Sequence, residues 1–349
     1  MPNRVLTRAI DALASREDLS EAQAAEVLVQ IMQGEGSEVQ IAGFLIALRT
    51  KGETVGEVAG MARTMRELAA HVPVARDELL DTAGTGGGRR TFNVSTTAAL
   101  IAAGAGCAVA KHGNRSATGL SGSADLLEAL GARIDLAPDG VARCIEEVGF
   151  GFMFAPAHHR ATRFVVPVRH ELAVRTIFNL LGPLTNPAGA TRQLIGVSDP
   201  AFLQTIAGAL ALLGSHRALV VSGEDGVDEI SISAPTSVVE LDGGEIRRYT
   251  LTPQQLGLPV VDADHQALAG GDPERNAAVT RAIFEGAVGP HTDLALANAG
   301  AAIYAAGTVD SIGAGVEAAR AALADGGAAR ALEDYVDASR RHAPAEASA

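Results

Sequence analysis

Hydrophobic residues recur at helical spacing through the first 70 residues of the chain. This pattern predicts helices over 20–32, over 37–49 and from Thr54 onward. Ser20, Ser37 and Thr54 stand at the three starts, where a hydroxyl can accept a hydrogen bond from a backbone N–H of the first turn. We therefore expect residues 1–70 to form a helical domain.

From residue 78 onward the pattern changes to short apolar strands, polar loops and helices in alternation. It predicts strands over 79–82, 107–110, 150–154 and 218–221, and helices over 96–105, 124–130, 139–148 and 201–213. Such repetition is typical of parallel strands joined by helical crossovers. The expected fold class is α/β, with a small N-terminal helical domain and a large domain whose mainly parallel central sheet is flanked by helices.

Residues 158–186 differ from their surroundings because they are polar, rich in arginine and interrupted by proline. Within this insert, HELAVRTIFNLLG predicts a helix that returns to the helical domain, so the insert should line a cleft between the domains. The large domain then comprises 71–157 and 187–340, with a hairpin turning at Gly243 and Gly244. Alanine-rich helices begin near Arg275, Leu294 and Ser311, and 341–349 should be a frayed tail.

Two loops have the composition of an anion site. Residues 81–96, DTAGTGGGRRTFNVST, are rich in glycine and lead into an apolar helix, so backbone N–H groups and a helix N-terminus are available to phosphate. Residues 111–125, KHGNRSATGLSGSAD, form a second polar loop before another helix. Together they predict a ligand with phosphates at both ends.

Spacing and charge exclude several classes of protein. No Lys-Ser/Thr follows the glycines as in a P-loop, and the next strand end carries no acid for a ribose hydroxyl as in a dinucleotide site. The net charge of −13 argues against a nucleic-acid or anionic membrane surface. No apolar segment is long enough to span a membrane, so we expect a cytoplasmic protein, with Cys107 and Cys144 as buried free thiols.

Polar side chains follow two of the predicted strands. In KHGNRS, four polar residues emerge together, which favours a site over a capped turn with solvated charges: Lys111, His112, Asn114 and Arg115. In GEDGVDEIS, the adjacent carboxylates of Asp228 and Glu229 are the hard oxygen ligands that suit Mg²⁺, although a surface turn has the same composition.

Arginine dominates the insert, at positions 160, 163, 169 and 175. Most surface arginines are simply solvated, but one or two directed into a cleft would hold a carboxylate through two hydrogen bonds. Pro183, in LLGPLTNP, would then lie against an aromatic ring. His158 and His159 have no partner at metal-binding spacing, and we interpret them as structural or rim residues.

Four blocks in this order, GTGG…TFNVST, KHGNRS…SGSAD, VRHELAVRTIFNLLGPLTNP and DGVDEIS, resemble the anthranilate phosphoribosyltransferase family over about residues 5–325. The resemblance implies transfer of phosphoribosyl from phosphoribosyl pyrophosphate to anthranilate. The products would be N-(5-phosphoribosyl)anthranilate and pyrophosphate, in the second step of tryptophan biosynthesis from chorismate. It also implies the fold shared with nucleoside phosphorylases and a homodimer formed through the helical domain.

The resemblance further implies site residues. Phosphoribosyl pyrophosphate would be bound by Gly84, Thr85, Gly86, Gly87, Thr91, Asn93, Ser95, Thr96, Lys111, Asn114 and Ser123. Anthranilate would be bound by Gly84, His112, Asn114, Arg169 and Pro183, with Arg169 pairing its carboxylate. Mg²⁺ would be held by Ser95, Asp228 and Glu229, and the catalytic residues would be Lys111, Asp228 and Glu229.

One loop departs from the family pattern. Where the family usually places Asp after GTGG, this chain has Gly88, Arg89 and Arg90 in a loop one residue shorter. We hypothesise that one of these arginines supplies positive charge to the pyrophosphate.

Two other functions stay open at this point. One is a pyrimidine nucleoside phosphorylase, which would use inorganic phosphate and would not need the acidic pair. The other is a non-catalytic binder related to the transferases, which only the altered loop favours.

Overall fold

The computed structural model describes residues 1–116, 119–262 and 268–344. Its first four helices are α1 (Arg4–Ala14), α2 (Glu21–Met32), α3 (Glu38–Lys51) and α4 (Val55–Glu67). The side chains of Ser20, Ser37 and Thr54 each accept a hydrogen bond from a first-turn backbone N–H, so the three predicted N-caps are confirmed. Helix α1, capped by Asn3, was not delimited from the sequence.

A seven-stranded sheet forms the centre of the rest of the chain. Its strands are β1 (Leu80–Gly84), β2 (Val109–Gly113), β3 (Phe150–Phe154), β4 (Arg192–Gly196), β5 (Arg217–Gly223), β6 (Thr236–Asp242) and β7 (Glu245–Leu251). They lie in the order β3-β2-β1-β4-β5-β6-β7. Strands β1 to β5 are parallel, and β6 and β7 form the predicted hairpin with positive φ at Gly243 and Gly244. The predicted mainly parallel α/β fold is confirmed.

Strand β4 was missing from the sequence prediction, although it lies at the centre of the sheet. It begins with Arg192 and Gln193, which are polar and therefore obscure the apolar pattern of a buried strand. Both side chains are buried and contact residues from other segments of the chain. Arg192 pairs with Glu78, and Gln193 donates to the carbonyl of Pro183.

Helices cover both faces of the sheet. They are α5 (Val94–Gly104), α6 (Ser123–Ala129), α7 (Pro138–Val148), α8 (Ala155–His158), α9 (Val166–Leu172), α10 (Phe178–Leu181), α11 (Leu203–Leu212), α12 (Pro273–Phe284), α13 (Pro290–Ala305), α14 (Ile312–Ala324) and α15 (Gly327–His342). One hydrophobic core joins α5, α7 and α13 to α15 with one face of the sheet. A second joins α1 to α4 and α11 with the opposite face, so the N-terminal helices share a core with the sheet.

The insert is not one helix, and the prediction over HELAVRTIFNLLG was wrong. Helix α9 ends at Leu172, Ala173 adopts a left-handed conformation with φ 51°, and α10 begins only at Phe178. A 3₁₀ turn, Gly182–Leu184, follows α10 directly. Val168 and Leu181 from these pieces lie in the second core, beside residues of the N-terminal helices.

Three smaller expectations can also be compared with the structure. Cys107 and Cys144 are buried and free, as predicted. The predicted start of the frayed tail was wrong, because Arg341 and His342 belong to helix α15; 345–349 of that tail lie outside the described residues. Of the helices in the described ranges, none combines the length and apolar character needed to cross a membrane.

Candidate active site

The candidate site lies at the C-terminal edge of the parallel strands, where loops after β1, β2 and β5 meet. The glycine-rich loop follows β1 at Gly84, the KHGNRS segment contains the end of β2, and the acidic loop follows β5 at Gly223. Ligands in open α/β sheets bind at this edge. The two loops that were singled out from the sequence are therefore brought to the expected position.

The glycine-rich loop lies directly against the acidic pair. The backbone N–H of Gly86 donates to Asp228 Oδ2 at 3.1 Å, and the Thr91 hydroxyl donates to Glu229 Oε1 at 2.9 Å. The N–H of Arg89 donates to the carbonyl of Gly226 at 2.7 Å. Asp228 and Glu229 are thus part of the loop's own framework rather than a solvated turn.

Glycine is required at two positions beside Asp228. A Cβ on Gly196, at the end of β4, would collide with the Asp228 carbonyl, and one on Gly88 would come within 2.8 Å of its backbone nitrogen. Real Cβ atoms essentially never approach so closely. Gly88, the residue that departs from the family pattern, therefore lets the loop pack against the acidic pair.

Burial raises the pKa of both acidic side chains. The pKa of Glu229 lies well above its usual value, because burial is reinforced by the neighbouring charge of Asp228, and that of Asp228 is raised mainly by burial. Within the described ranges no cluster of three His, Cys, Asp or Glu residues could hold a metal. Two adjacent carboxylates still fit Mg²⁺, which commonly uses one or two carboxylates together with waters and substrate phosphates.

Arg175 of the insert braces the glycine-rich loop. Its Nη1 donates to the carbonyl of Gly86 at 2.7 Å and to Ser198 Oγ at 2.9 Å. A Cβ on Gly87 would collide with the same guanidinium. In the sequence, Arg175 was only one of four candidate cleft arginines, and nothing there indicated this contact.

Lys111 is fully buried beside the start of α5. Its Nζ donates to the Thr82 carbonyl at 2.5 Å and lies 3.4 Å from Ser95 Oγ. Burial lowers its pKa to about 8, while the charge of Asp81 acts in the opposite direction. Burial likewise raises the pKa of Asp81 to about 6. Two buried groups of opposite charge, Lys111 and Asp81, therefore lie beneath the glycine-rich loop.

The first turn of α5 supplies hydroxyls and amides near this ammonium. Thr96 is buried, and its Oγ1 has no hydrogen-bond partner. Ser95, a residue predicted to help bind Mg²⁺, contacts Lys111. In the described ranges it forms no hydrogen bond to Asp228 or Glu229. The structure thus groups Ser95 with Lys111 rather than directly with the acidic pair.

Asn93 joins three segments of the chain. Its Oδ1 accepts from Ser121 Oγ at 2.9 Å and from Asn276 Nδ2 at 2.7 Å, and its Nδ2 donates to the Ser121 carbonyl. Asn276 is only 2% exposed and also accepts from the Gly271 N–H. The carboxamide of Asn93 therefore links the two polar loops to α12, and sequence reasoning missed Asn276.

The second polar loop is held at its ends by capping and ion pairing. Asp125 accepts from the N–H groups of Ser116 and Gly122, and Arg115 pairs with Asp125 and Glu128. Arg115 is therefore used within the loop. Asn114 is exposed at the end of β2, and Ser123 is the first residue of α6, so both lie at the mouth of the site. Gly84 ends the neighbouring strand β1, and Thr85 follows it.

His112 lies on β2 beside the turn that contains Pro183. Its Nδ1 is 3.2 Å from the carbonyl of Gly182, which requires a proton on Nδ1, and its buried Nε2 has no partner. Burial together with neighbouring His159 holds the pKa of His112 well below the usual value. The ring is therefore neutral, with a free lone pair on Nε2.

Arg169 is the insert arginine best suited to receive a carboxylate. Its guanidinium lies 5.5 Å from the Phe178 ring centroid, and in the described part of the chain it forms no ion pair. Burial lowers the pKa of the guanidinium and removes some of its hydration, but the group still carries its charge at neutral pH. Such an arginine binds a planar carboxylate favourably.

Comparisons with known proteins agree with this architecture. Residues 7–69 match the model of the glycosyl transferase family helical bundle domain, and 76–329 match that of its α/β domain. The anthranilate phosphoribosyltransferase of Moorella thermoacetica is 50% identical over 95% of this chain and 98% of its own.

Solved structures point the same way. The anthranilate phosphoribosyltransferase of Thermus thermophilus superimposes with a TM-score of 0.90 at 49% identity, over 95% of this chain and 99% of that one. That of Saccharomyces cerevisiae, in complex with PRPP and Mg, gives 0.87 at 27% identity, over 96% and 98%. Sequence and fold together establish that the chain belongs to the anthranilate phosphoribosyltransferase family.

Proposed function

We propose that the protein transfers the phosphoribosyl group of phosphoribosyl pyrophosphate to the amine of anthranilate, releasing pyrophosphate. The observation that carries the proposal is the glycine-rich loop packed on Asp228 and Glu229, with buried Lys111 beneath it. This arrangement supports binding of a diphosphate leaving group at the edge of the sheet. A nucleoside phosphorylase, the other enzyme function that the sequence left open, would not need the acidic pair Asp228 and Glu229.

On the donor side, the amides at 84–87, the hydroxyls of Thr91, Ser95 and Thr96, and the ammonium of Lys111 supply groups for the phosphates and ribose. We assign Asn93, Asn114 and Ser123 to the same ligand, with Asn93 acting chiefly through the loops it joins. Asp228 and Glu229 would hold Mg²⁺, with Ser95 contributing from its position beside Lys111, and the ion would neutralise negative charge on the leaving group. Preorganised groups of this kind stabilise charge as the bond breaks.

On the acceptor side, we assign Arg169 to the anthranilate carboxylate, and His112, Pro183, Asn114 and Gly84 to the walls around the ring. The anthranilate amine is an aniline and is unprotonated at neutral pH, so it needs no strong base to expose its lone pair. Positioning is therefore the main task of these residues. The free Nε2 of His112 is suited to accept the proton once the new bond has formed.

The direct test of this proposal is the fluorescence of anthranilate. Adding phosphoribosyl pyrophosphate and Mg²⁺ to the enzyme with anthranilate should abolish the signal as the product forms. A parallel assay of phosphate-dependent thymidine cleavage tests the phosphorylase alternative. Thymidine cleavage without loss of anthranilate fluorescence would overturn the proposal in favour of that alternative.

Arg89 and Arg90 provide a prediction for the altered loop. Replacing by alanine the arginine that supplies positive charge to the pyrophosphate should raise the KM for phosphoribosyl pyrophosphate about fivefold to tenfold, the effect of removing one charge near a phosphate. The KM for anthranilate should not change. Steady-state kinetics with each substrate varied in turn will measure both. Unchanged KM values for phosphoribosyl pyrophosphate in both variants would contradict the hypothesis.

Arg169→Ala should raise the KM for anthranilate by about ten- to a hundredfold, because a charge-assisted pair is worth about 1.5–3 kcal/mol. The effect should fall mainly on KM, since the pair is present in both the ground state and the transition state. Arg163→Ala is the matched control, because Arg163 also lies over a phenylalanine ring, at 4.7 Å from the Phe164 centroid. Equal anthranilate KM values in the two variants would refute the assignment.

We further propose residues 1–70 as a helical domain through which two chains form a homodimer in the cytoplasm. Val39 of α3 supports this contact, because it is an apolar residue that is 82% exposed, and Ile46 on the same helix is also exposed. The insert 158–186 would pack onto this domain, and 71–157 with 187–340 would form the substrate-binding domain. Light scattering on a sizing column measures the mass and tests the dimer.

A further inference from the structure

The turn at residues 182–185 is held by side chains through every one of its backbone carbonyls. The four carbonyls accept, in chain order, from His112 Nδ1 at 3.2 Å, Gln193 Nε2 at 2.8 Å, Arg66 Nε at 2.7 Å and His159 Nε2 at 3.1 Å. These donors belong to β2, to β4, to α4 and to the residue after α8. We call this set the carbonyl clamp.

The clamp has a simple physical reason. A single 3₁₀ turn provides few backbone donors, and within residues 182–185 only the N–H and hydroxyl of Thr185 reach back, both to Gly182. The turn is largely buried, and an unpaired buried carbonyl costs about as much as a lost hydrogen bond. Side chains from four separate elements therefore fix the turn in three dimensions.

The clamp requires a proton on one particular ring nitrogen of each of two histidines. A carbonyl only accepts, so His112 carries its proton on Nδ1 and His159 on Nε2. The two rings lie 5.1 Å apart between centroids. Burial, with the charge of His158 as the next cause, lowers the pKa of His159 to about 4. Both rings are therefore neutral donors at physiological pH.

The chain after the turn is anchored as well. Asn186 Nδ2 donates to Asp81 Oδ2 and to the carbonyl of Ala110, both at 2.8 Å. Asp81 Oδ1 in turn accepts from the N–H of His112. The segment that contains Pro183 is thus fixed to β1 and β2, the two strands that lead into the donor-side loops.

We propose that Gln193 and His159 are positioning residues that set the shape of the acceptor site by holding Pro183 in place through the clamp. The inference rests on the proposed function, because it takes Pro183 as a wall against the anthranilate ring. Gln193 donates to the carbonyl of Pro183 itself, and His159 donates to that of Thr185. In the described part of the chain neither side chain forms a hydrogen bond to the donor-side loops, so their effect should be confined to the acceptor.

The test compares variants that lose a donor with one that keeps it. Gln193→Met and His159→Phe preserve size but cannot donate, whereas His159→Gln retains an N–H. The first two should raise the KM for anthranilate about tenfold, since losing one hydrogen bond costs about 0.5–1.5 kcal/mol. The KM for phosphoribosyl pyrophosphate should stay within about twofold of the wild-type value. Both variants should also turn over ring-substituted anthranilates relatively better than wild type does. His159→Gln should restore most of the anthranilate KM. Tyr304→Phe is the control, because it removes a hydrogen bond to Glu240 outside the site.

Several results would overturn the proposal. These are equal changes in both KM values, no change in either, or failure of His159→Gln to differ from His159→Phe. If wild-type protein does not transfer phosphoribosyl to anthranilate, the proposed function fails. The clamp is then judged by amide hydrogen exchange. Faster exchange at Gly182, Leu184 and Thr185 in Gln193→Met, but not in Tyr304→Phe, supports it, and equal exchange refutes it.

Discussion

Replacing Asp228 by Asn and Glu229 by Gln together should lower kcat by about 10²-fold or more, because loss of one preorganised electrostatic group in an active site typically costs about 10²–10³ in rate. This is the largest loss of activity that we expect from any pair of conservative changes. The side chains keep their size, and the new carboxamide oxygens can still accept from the Gly86 N–H and from Thr91 Oγ1. The double variant therefore loses only the negative charges that would hold Mg²⁺.

The measurement is kcat over a range of Mg²⁺ concentrations. The double variant should require more Mg²⁺ for its maximum rate, while its melting temperature should not fall, because two partly buried carboxylates with raised pKa values have been replaced by neutral groups. Glu224→Gln is the matched control. It neutralises an exposed carboxylate on the same loop and should behave as wild type. A double variant that keeps nearly the wild-type kcat would contradict the role of the pair.

The architecture was predictable from sequence where local signals agreed. Hydroxyl caps, apolar helical faces and strands such as Phe150–Phe154 specify their structure within a few residues. The failures lie where a distant partner decides the conformation. Strand β4 starts with Arg192 and Gln193, whose burial makes sense only with Glu78 and Pro183 beside them. The helix through the insert broke at Ala173, whose left-handed conformation no local residue signals.

The candidate site was predictable in its exposed parts and not in its supports. Glycine and acidic motifs are visible because they recur in short segments of sequence. Arg175 and Asn276 act through contacts with Gly86 and Asn93 that span 89 and 183 positions of the chain. A single sequence has no signal that pairs such residues. Composition alone therefore indicates where a ligand binds, but only the fold shows what holds the binding groups.

The buried charges of Lys111 and Asp81 reduce the stability of the fold at neutral pH. The pKa of the Asp81 carboxyl is raised to about 6 from 3.8, so its favourable contribution to folding is present below about pH 4 and is lost as the pH rises through 6. The pKa of Lys111 is lowered to about 8 from 10.5, so its cost persists below pH 8 and is relieved above it. Both charges oppose folding between about pH 6 and 8.

The double variant Asp81→Asn, Lys111→Met should therefore be at least as stable as wild type, with its advantage largest between about pH 6 and 8. Burial disfavours the charged form of both side chains, so replacing both by neutral groups of similar volume should not destabilise the fold, whereas replacing one leaves the other buried charge uncompensated. Each single variant should accordingly be less stable than the double. The free energy of unfolding should be measured by denaturant titration from about pH 4 to 10 for wild type, both single variants and the double variant.

Activity should move in the opposite direction. The double variant and Lys111→Met should both lose about 10²-fold or more in kcat/KM for phosphoribosyl pyrophosphate, because the ammonium beside Ser95 at the start of α5 is gone. Asp81→Asn alone should retain more activity, since Lys111 remains and the new carboxamide oxygen can still accept from the N–H of His112. A double variant that is both less stable than wild type at neutral pH and fully active would show that the pair exists for folding. A more stable but inactive one means that the buried charge is kept at the expense of stability because the substrate's phosphates need it.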